Sequence, residues 1–193
     1  MDMILTKITH SMDCNKRDSY IYAITLMGLF TFLFLGVEYF FVNVLSHIVP
    51  EDQTVLAQNY ALGASAAGFV LYALFDHFCK DRLKEICFIL IAFLSVLCMA
   101  FIYTGTTYTA VFFAGFVLFL LLGLTGSAVF YISMCRMKTE QYLARMVGIS
   151  YALGILLQFV NNNLIRSELA ELIVLSVFLL ILIALLLKWD YCK

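Results

Sequence analysis

The residue with most chemical potential in this chain is Glu38, which lies inside the long apolar run from Tyr20 to Ile48. A carboxylate held in hydrocarbon costs about 2.5–3.5 kcal/mol on insertion scales, so it must face a cavity or a partner. A carboxyl desolvated in this way is suited to taking up and releasing a proton, although a structural Glu hydrogen-bonded to a neighbouring helix reads the same in sequence. Asn43 follows five residues later, about 140° further around a helix, so a face shared with Glu38 is possible but not required. Other polar residues inside apolar runs are Gln58, Asn59, Thr125, Ser127, Ser150 and Gln158. Such scattered neutral groups are more often interhelical hydrogen bonds than ligand contacts. Asn59 and Gln158 fall toward the same side and could border one cavity. A further charged group, Asp76, Lys80 and Arg82, interrupts the apolar pattern near residue 80. An aspartate ending a helix meets the unfavourable end of its dipole, so Asp76 calls for a basic neighbour or the N-terminus of another helix. Hydrolytic and metal chemistry find no support, since HExxH, facing aspartate pairs and Ser/His couples within the apolar runs are all absent. His10, His47 and His77 fall at or beyond the ends of those runs, and the six cysteines show neither CxxC nor His/Cys ligand spacing. The sequence therefore predicts no catalytic residue, no metal, no cofactor and no enzyme activity.

The elements that must position these side chains follow from composition. Hydrophobic residues make up 64% of the 193, charged residues 13%, and the mean hydropathy is +0.98. Soluble domains carry roughly twice that share of charge. Here the charges bunch between apolar runs too long and unbroken for barrel strands of about ten alternating residues. About 20 apolar residues cross a bilayer as a helix, and six segments qualify: 20–48, 55–75, 86–103, 109–134, 143–160 and 169–187. The expectation is an all-α membrane protein, a six-helix transmembrane domain over 20–188, with short tails at 1–19 and 189–193.

Lys and Arg orient it. Lys7, Lys16 and Arg17 precede the first segment; Lys80, Arg82 and Lys84 follow the second; Arg136, Lys138 and Arg145 follow the fourth; Lys188 and Lys193 end the chain. Only Arg166 falls on the opposite side. Under the positive-inside rule this alternation puts both termini in the cytoplasm of a multi-pass cell (inner) membrane protein, with its cysteines expected as free thiols. The first nineteen residues lack the apolar core of a secretory signal. A net charge of −1 without a basic stripe gives no footprint for nucleic acid. Small residues mark candidate helix seams: Gly63, Ala64, Ala67 and Gly68 on the second segment, Gly123 and Gly126 on the fourth, and Gly148, Ala152 and Gly154 on the fifth. The sixth, almost all Leu, Ile and Val, has no seam and is expected to face lipid. No internal repeat between the first three segments and the last three is visible.

Two stretches resemble the major facilitator superfamily. After the second segment, residues 72–84 follow that family's cytoplasmic loop pattern G-x-L-a-D-R-x-G-R-R at Leu74, Asp76, Lys80 and Arg82. Tyr72, His77, Cys79 and Asp81 depart from it. In the first segment, residues 37–45 are similar to the L-D-x-T-I-V-N-V-A-L stretch of the drug:proton antiporter branch, with Glu38 on the acid and Val42, Asn43 and Val44 on V-N-V. The resemblance implies the N-terminal six-helix half of a twelve- or fourteen-helix transporter. Two departures bear on coupling: Phe119 stands where proton-coupled members carry an arginine four residues before the glycine matched by Gly123, and the fifth segment lacks the antiporters' proline.

The implied function is movement of a small solute by alternating access between two six-helix halves. The second half would be another copy of this chain, as a homodimer, or a separately encoded chain. The contrasting reading is a membrane anchor, a sensor-like subunit or a truncated remnant, which the phenylalanine at 119 favours and Glu38 opposes.

Overall fold

The computed structural model describes the backbone of residues 2–78, 81–135 and 140–190, and side chains within 19–78, 82–135 and 143–188. Six helices account for nearly all of it: α1 Asp2–Ser46, α2 Glu51–Phe78, α3 Asp81–Thr104, α4 Tyr108–Cys135, α5 Glu140–Leu164 and α6 Glu168–Asp190. Each contains a stretch long and apolar enough to cross a membrane. All hydrogen-bonding potential of a helix backbone is met within the segment, which is what hydrocarbon requires. The short connections make successive helices antiparallel. One end of the bundle carries the α2–α3 and α4–α5 connections and the start of α1 (the terminal end). The other carries the α1–α2, α3–α4 and α5–α6 connections (the far end).

Helix limits differ from the sequence expectation at informative places. The residues expected as a polar tail, 1–19, are helical from Asp2 and run into the first span, which itself covers Ser19–Ser46. No glycine or proline interrupts the chain before Gly28, and extending an existing helix is far easier than nucleating one. The α2 helix starts at Glu51, with the Pro50 carbonyl accepting from the amides of Gln53 and Thr54 and Glu51 and Asp52 at the favourable end of the dipole. The run Asn161-Asn162-Asn163, expected to close the fifth helix, lies inside it. There Asn163 Nδ2 donates to the Phe159 carbonyl one turn back, and Gln158 Nε2 donates to Asn162 Oδ1, so part of the polar demand is met locally and the helix continues to Leu164.

Central positions belong to α1 and α4, the two most buried helices. The closest neighbours are α2 with α4 and α1 with α5; α3 packs on α4 and α6 packs on α1; α3 also meets α6, and α1 meets α4. Exchanging the first three helices for the last three reproduces every one of these pairs. A 3+3 repeat absent from the letters of the sequence is thus present in the packing. The exceptions among the described residues are that α1 packs on α2 and touches α3 more closely than α4 does α5 and α6.

Glycines set the two tightest crossings. A Cβ on Gly68 would overlap the Leu120 carbonyl, and one on Gly123 would overlap that of Ser65, so α2 and α4 touch backbone to backbone. The α1–α5 crossing is its counterpart: a Cβ on Gly154 would come 2.5 Å from Thr31 Cβ and 2.9 Å from the Gly28 carbonyl. Close approach of this kind is how helices gain dispersion contact in lipid. The expected seams are only half used. Gly63, Ala67, Gly148 and Ala152 are exposed, with open space at both glycines, and Gly126 seats the Phe30 and Phe69 rings instead of a helix. The α6 helix is likewise not wholly turned outward. It buries Leu175, Leu179, Leu182, Ile183 and Leu186 toward α1 and α3, and exposes Ile173, Val177, Leu180 and Ile181.

Candidate functional site

Polar side chains gather at the far end, carried there by α1, α2, α5 and α6. Glu38 lies eight residues before the end of α1, about 12 Å below it and in the far half of the span, not at its middle. It is half-buried and accepts a 2.7 Å hydrogen bond from Gln58 Nε2 of α2. Asn43 turns the other way. Its Nδ2 donates to Glu168 Oε1 of α6 at 3.0 Å, and His47 Nδ1 lies 3.3 Å from the same oxygen. Glu38 and Asn43 therefore tie α1 to two different neighbours and do not share a face.

Gln158 is buried on α5 against α1, its Oε1 3.0 Å from where a Cβ on Gly36 would stand. Asn59 is exposed on the side of α2 opposite the buried series Ala57, Ala61, Ala64 and Gly68. The cavity that sequence position suggested between Asn59 and Gln158 is not what these placements make. Thr125 and Ser150, expected as interhelical links, instead donate to the carbonyls of Leu121 and Met146 on their own helices, at 3.0 and 2.7 Å. A buried hydroxyl one turn below a carbonyl finds that acceptor before any other.

At the terminal end Asp76 meets a basic partner, but one outside the triplet that sequence matching picked. Lys84 Nζ, from the first turn of α3, donates to Asp76 Oδ1 at 2.6 Å. Arg82 is exposed, and Lys80 lies outside the described residues. The pair joins the end of α2 to the start of α3 across their connection and offsets the unfavourable dipole at Asp76.

Between α1 and α4 the bundle is aromatic. Phe119 is fully buried, edge-on to Phe34 and Phe41 with centroids 5.8 and 5.7 Å apart. Phe30, Phe69 and Phe130 continue the cluster toward the terminal end. Such tilted and edge-on pairs each contribute about 0.5–1.5 kcal/mol beyond burial. Phe119 is thus a ring that no charged group could replace without losing its surroundings.

Sequence reasoning missed Lys84, Glu168, Asn161 and Glu171. Glu171 had a usable signal, since it lies two residues inside the apolar segment expected from Leu169. The structure buries it, together with Asn161 and Gln158. Comparison of the chain with family models, with characterised proteins and with solved structures finds no match.

Proposed function

We propose that this chain is a transport protein of the cell membrane, a six-helix unit like half of a major facilitator that moves a small solute by alternating access against a second six-helix unit. The observation that carries the reading is the 3+3 packing repeat. Pairs α2·α4 and α5·α1, each with glycines at the crossing, exchange with one another, as do α3·α4 and α6·α1. If successive spans alternate across the bilayer, the two halves of this repeat are inverted, and inverted repeats are how many secondary transporters build two interconverting states. With both termini cytoplasmic, as the Lys and Arg distribution has it, the Asp76–Lys84 pair lies on the cytoplasmic side and Glu38 toward the outside. Exposed apolar faces of α2 and α5, with open space at Gly63 and Gly148, give the second unit two surfaces to pack against. A second copy of this chain, as a homodimer, and a separately encoded half both fit that role.

The contrasting reading is a non-transporting anchor or sensor-like subunit. It is favoured by one observation, the packed aromatic cluster around Phe119, which leaves no charged group between α1 and α4 to couple an ion. Purified protein distinguishes the two. Its oligomeric state in nanodiscs and solute uptake into proteoliposomes, with and without a pH gradient, are measured for the wild type and Glu38→Gln. Transport is expected from a dimeric species. A monomer inactive toward a broad solute panel sinks the transport reading, and uptake unchanged in Glu38→Gln removes that residue from coupling.

A further inference from the structure

Three side chains at the far end are more than nine-tenths buried and each has a polar atom without a hydrogen-bond partner. They are Gln158 Oε1 and Asn161 Nδ2 on α5, and Glu171 Oε1 on α6, with residue exposures of 7%, 7% and 6%. They belong to one layer. Asn161 and Glu171 are equidistant from Arg166 at the apex of the α5–α6 hairpin, and a hairpin sets such residues at the same depth. Gln158 is one turn below Asn161. Its Oε1 and the Leu175 side chain both lie against Gly36 of α1, and Leu175 is one turn below Glu171.

Buried polar atoms in folded proteins are almost always paired, and an ionised carboxylate within a span without a partner is costly. The side chains around Glu171 do not supply a compensating charge, and the N-terminus of α6, in whose first turn it lies, supplies only a partial one. From α1 come Asn43, which is neutral, and His47, which engages Glu168; Glu38 is turned toward Gln58 on α2. From the far half of α3 the titratable groups are Cys98 and Tyr103, and the polar side chains at the same depth on α5 are neutral amides. Arg166 is exposed in the connection, and Glu168, one turn away on α6, is itself acidic. Among the described residues no three His, Cys, Asp or Glu side chains gather as a metal-ligand set. One proton meets the need at Glu171, since a carboxylic acid loses its charge and asks less of its surroundings than a carboxylate.

We propose that the Glu171 carboxyl is a proton-binding site that exchanges with the far-end solvent. Access is graded. The His47 imidazole is largely exposed, Glu168 stands beside it half-exposed, and Glu171 follows one turn deeper. The site stands whether or not the chain transports, and it is separate from Glu38, whose carboxyl accepts from Gln58.

Infrared spectra of the protein in nanodiscs test this directly. The wild type is expected to show a protonated-carboxyl C=O band near neutral pH that fades reversibly as pH rises. The band is lost in Glu171→Gln and kept in Glu38→Gln. Carbodiimide labelling of the wild type, mapped by mass spectrometry, needs no variant. Modification is expected at Glu171, falling about tenfold per pH unit above the midpoint. Absence of the band, its survival in Glu171→Gln, or an unlabelled Glu171 overturns the proposal. Loss of the band on adding Na⁺ or K⁺ at constant pH also overturns it, assigning the layer to an alkali cation.

Discussion

Replacing Gly123 with alanine adds one methyl group where the structure has room for none. The new Cβ would overlap the Ser65 carbonyl and come 3.0 Å from the Gly68 Cα. These obstacles are backbone, so no rotamer change relieves them, and α2 and α4 must separate by about 1 Å to restore ordinary contact. Overpacking costs about 1–3 kcal/mol, and an immovable neighbour puts this site near the top of that range. Against this stands the gain in helix propensity from glycine to alanine, about 0.8–1 kcal/mol. The net loss is about 2 kcal/mol, roughly a thirtyfold shift in the unfolding equilibrium. Gly63→Ala is the matched control, because its Cβ meets open space and only the propensity gain remains. Reversible unfolding in mixed micelles, followed by circular dichroism, should separate the two variants by about 3 kcal/mol. If Gly123→Ala is as stable as Gly63→Ala, backbone contact is not what holds α2 to α4.

Other predictions concern the aromatic core, the latch and the orientation. Phe119→Arg should lower stability by at least about 3 kcal/mol, since a buried charge replaces a ring packed on Phe34 and Phe41; a variant that melts like the wild type would show that the cluster admits water. A double-mutant cycle with Asp76→Asn and Lys84→Met should give a coupling of about 0.5–1 kcal/mol, as the pair is only partly buried. The same cycle with Arg82 in place of Lys84 should give none. In sealed vesicles of right-side-out orientation, an impermeant thiol reagent should leave Cys14 and Cys192 unmodified until the membrane is opened. Labelling of either from outside would invert the topology.

Six spans were legible because lipid imposes its requirement residue by residue. Any stretch of about 20 apolar residues declares itself without reference to its neighbours, and the six runs recur in the structure with shifted ends. The shifts occur where local bonds outweigh composition, as when Asn163 donates back to Phe159 and the helix passes through three asparagines. Partner choice was not legible in this way. Asp76 was expected to need a basic neighbour and has one, yet the neighbour is Lys84, eight residues on, because α3 begins immediately after the turn. Glu38 and Asn43, five residues apart, could not be assigned to one face or two from spacing alone. Their separation was decided by which helices stand on either side of α1.

What the sequence by itself determined is the solvent in which this protein lives, the number of its helices and the residues that must be accounted for within them. Glu38 is the clearest of these: a carboxylate in an apolar run demands a partner, and the demand is visible without a structure. Which partner answers, and which carboxylate is left without one, depends on the order of helices in the bundle. Gln58 answers Glu38, Asn43 and His47 answer Glu168, and Glu171 stays buried with an oxygen that has no partner. The 3+3 repeat is of the same kind. Helix pairing follows from where backbones can touch, at Gly68 with Gly123 and at Gly28 with Gly154. Glycines at Gly63 and Gly148 look identical in sequence but face open space, because a helix has several faces and only packing selects among them.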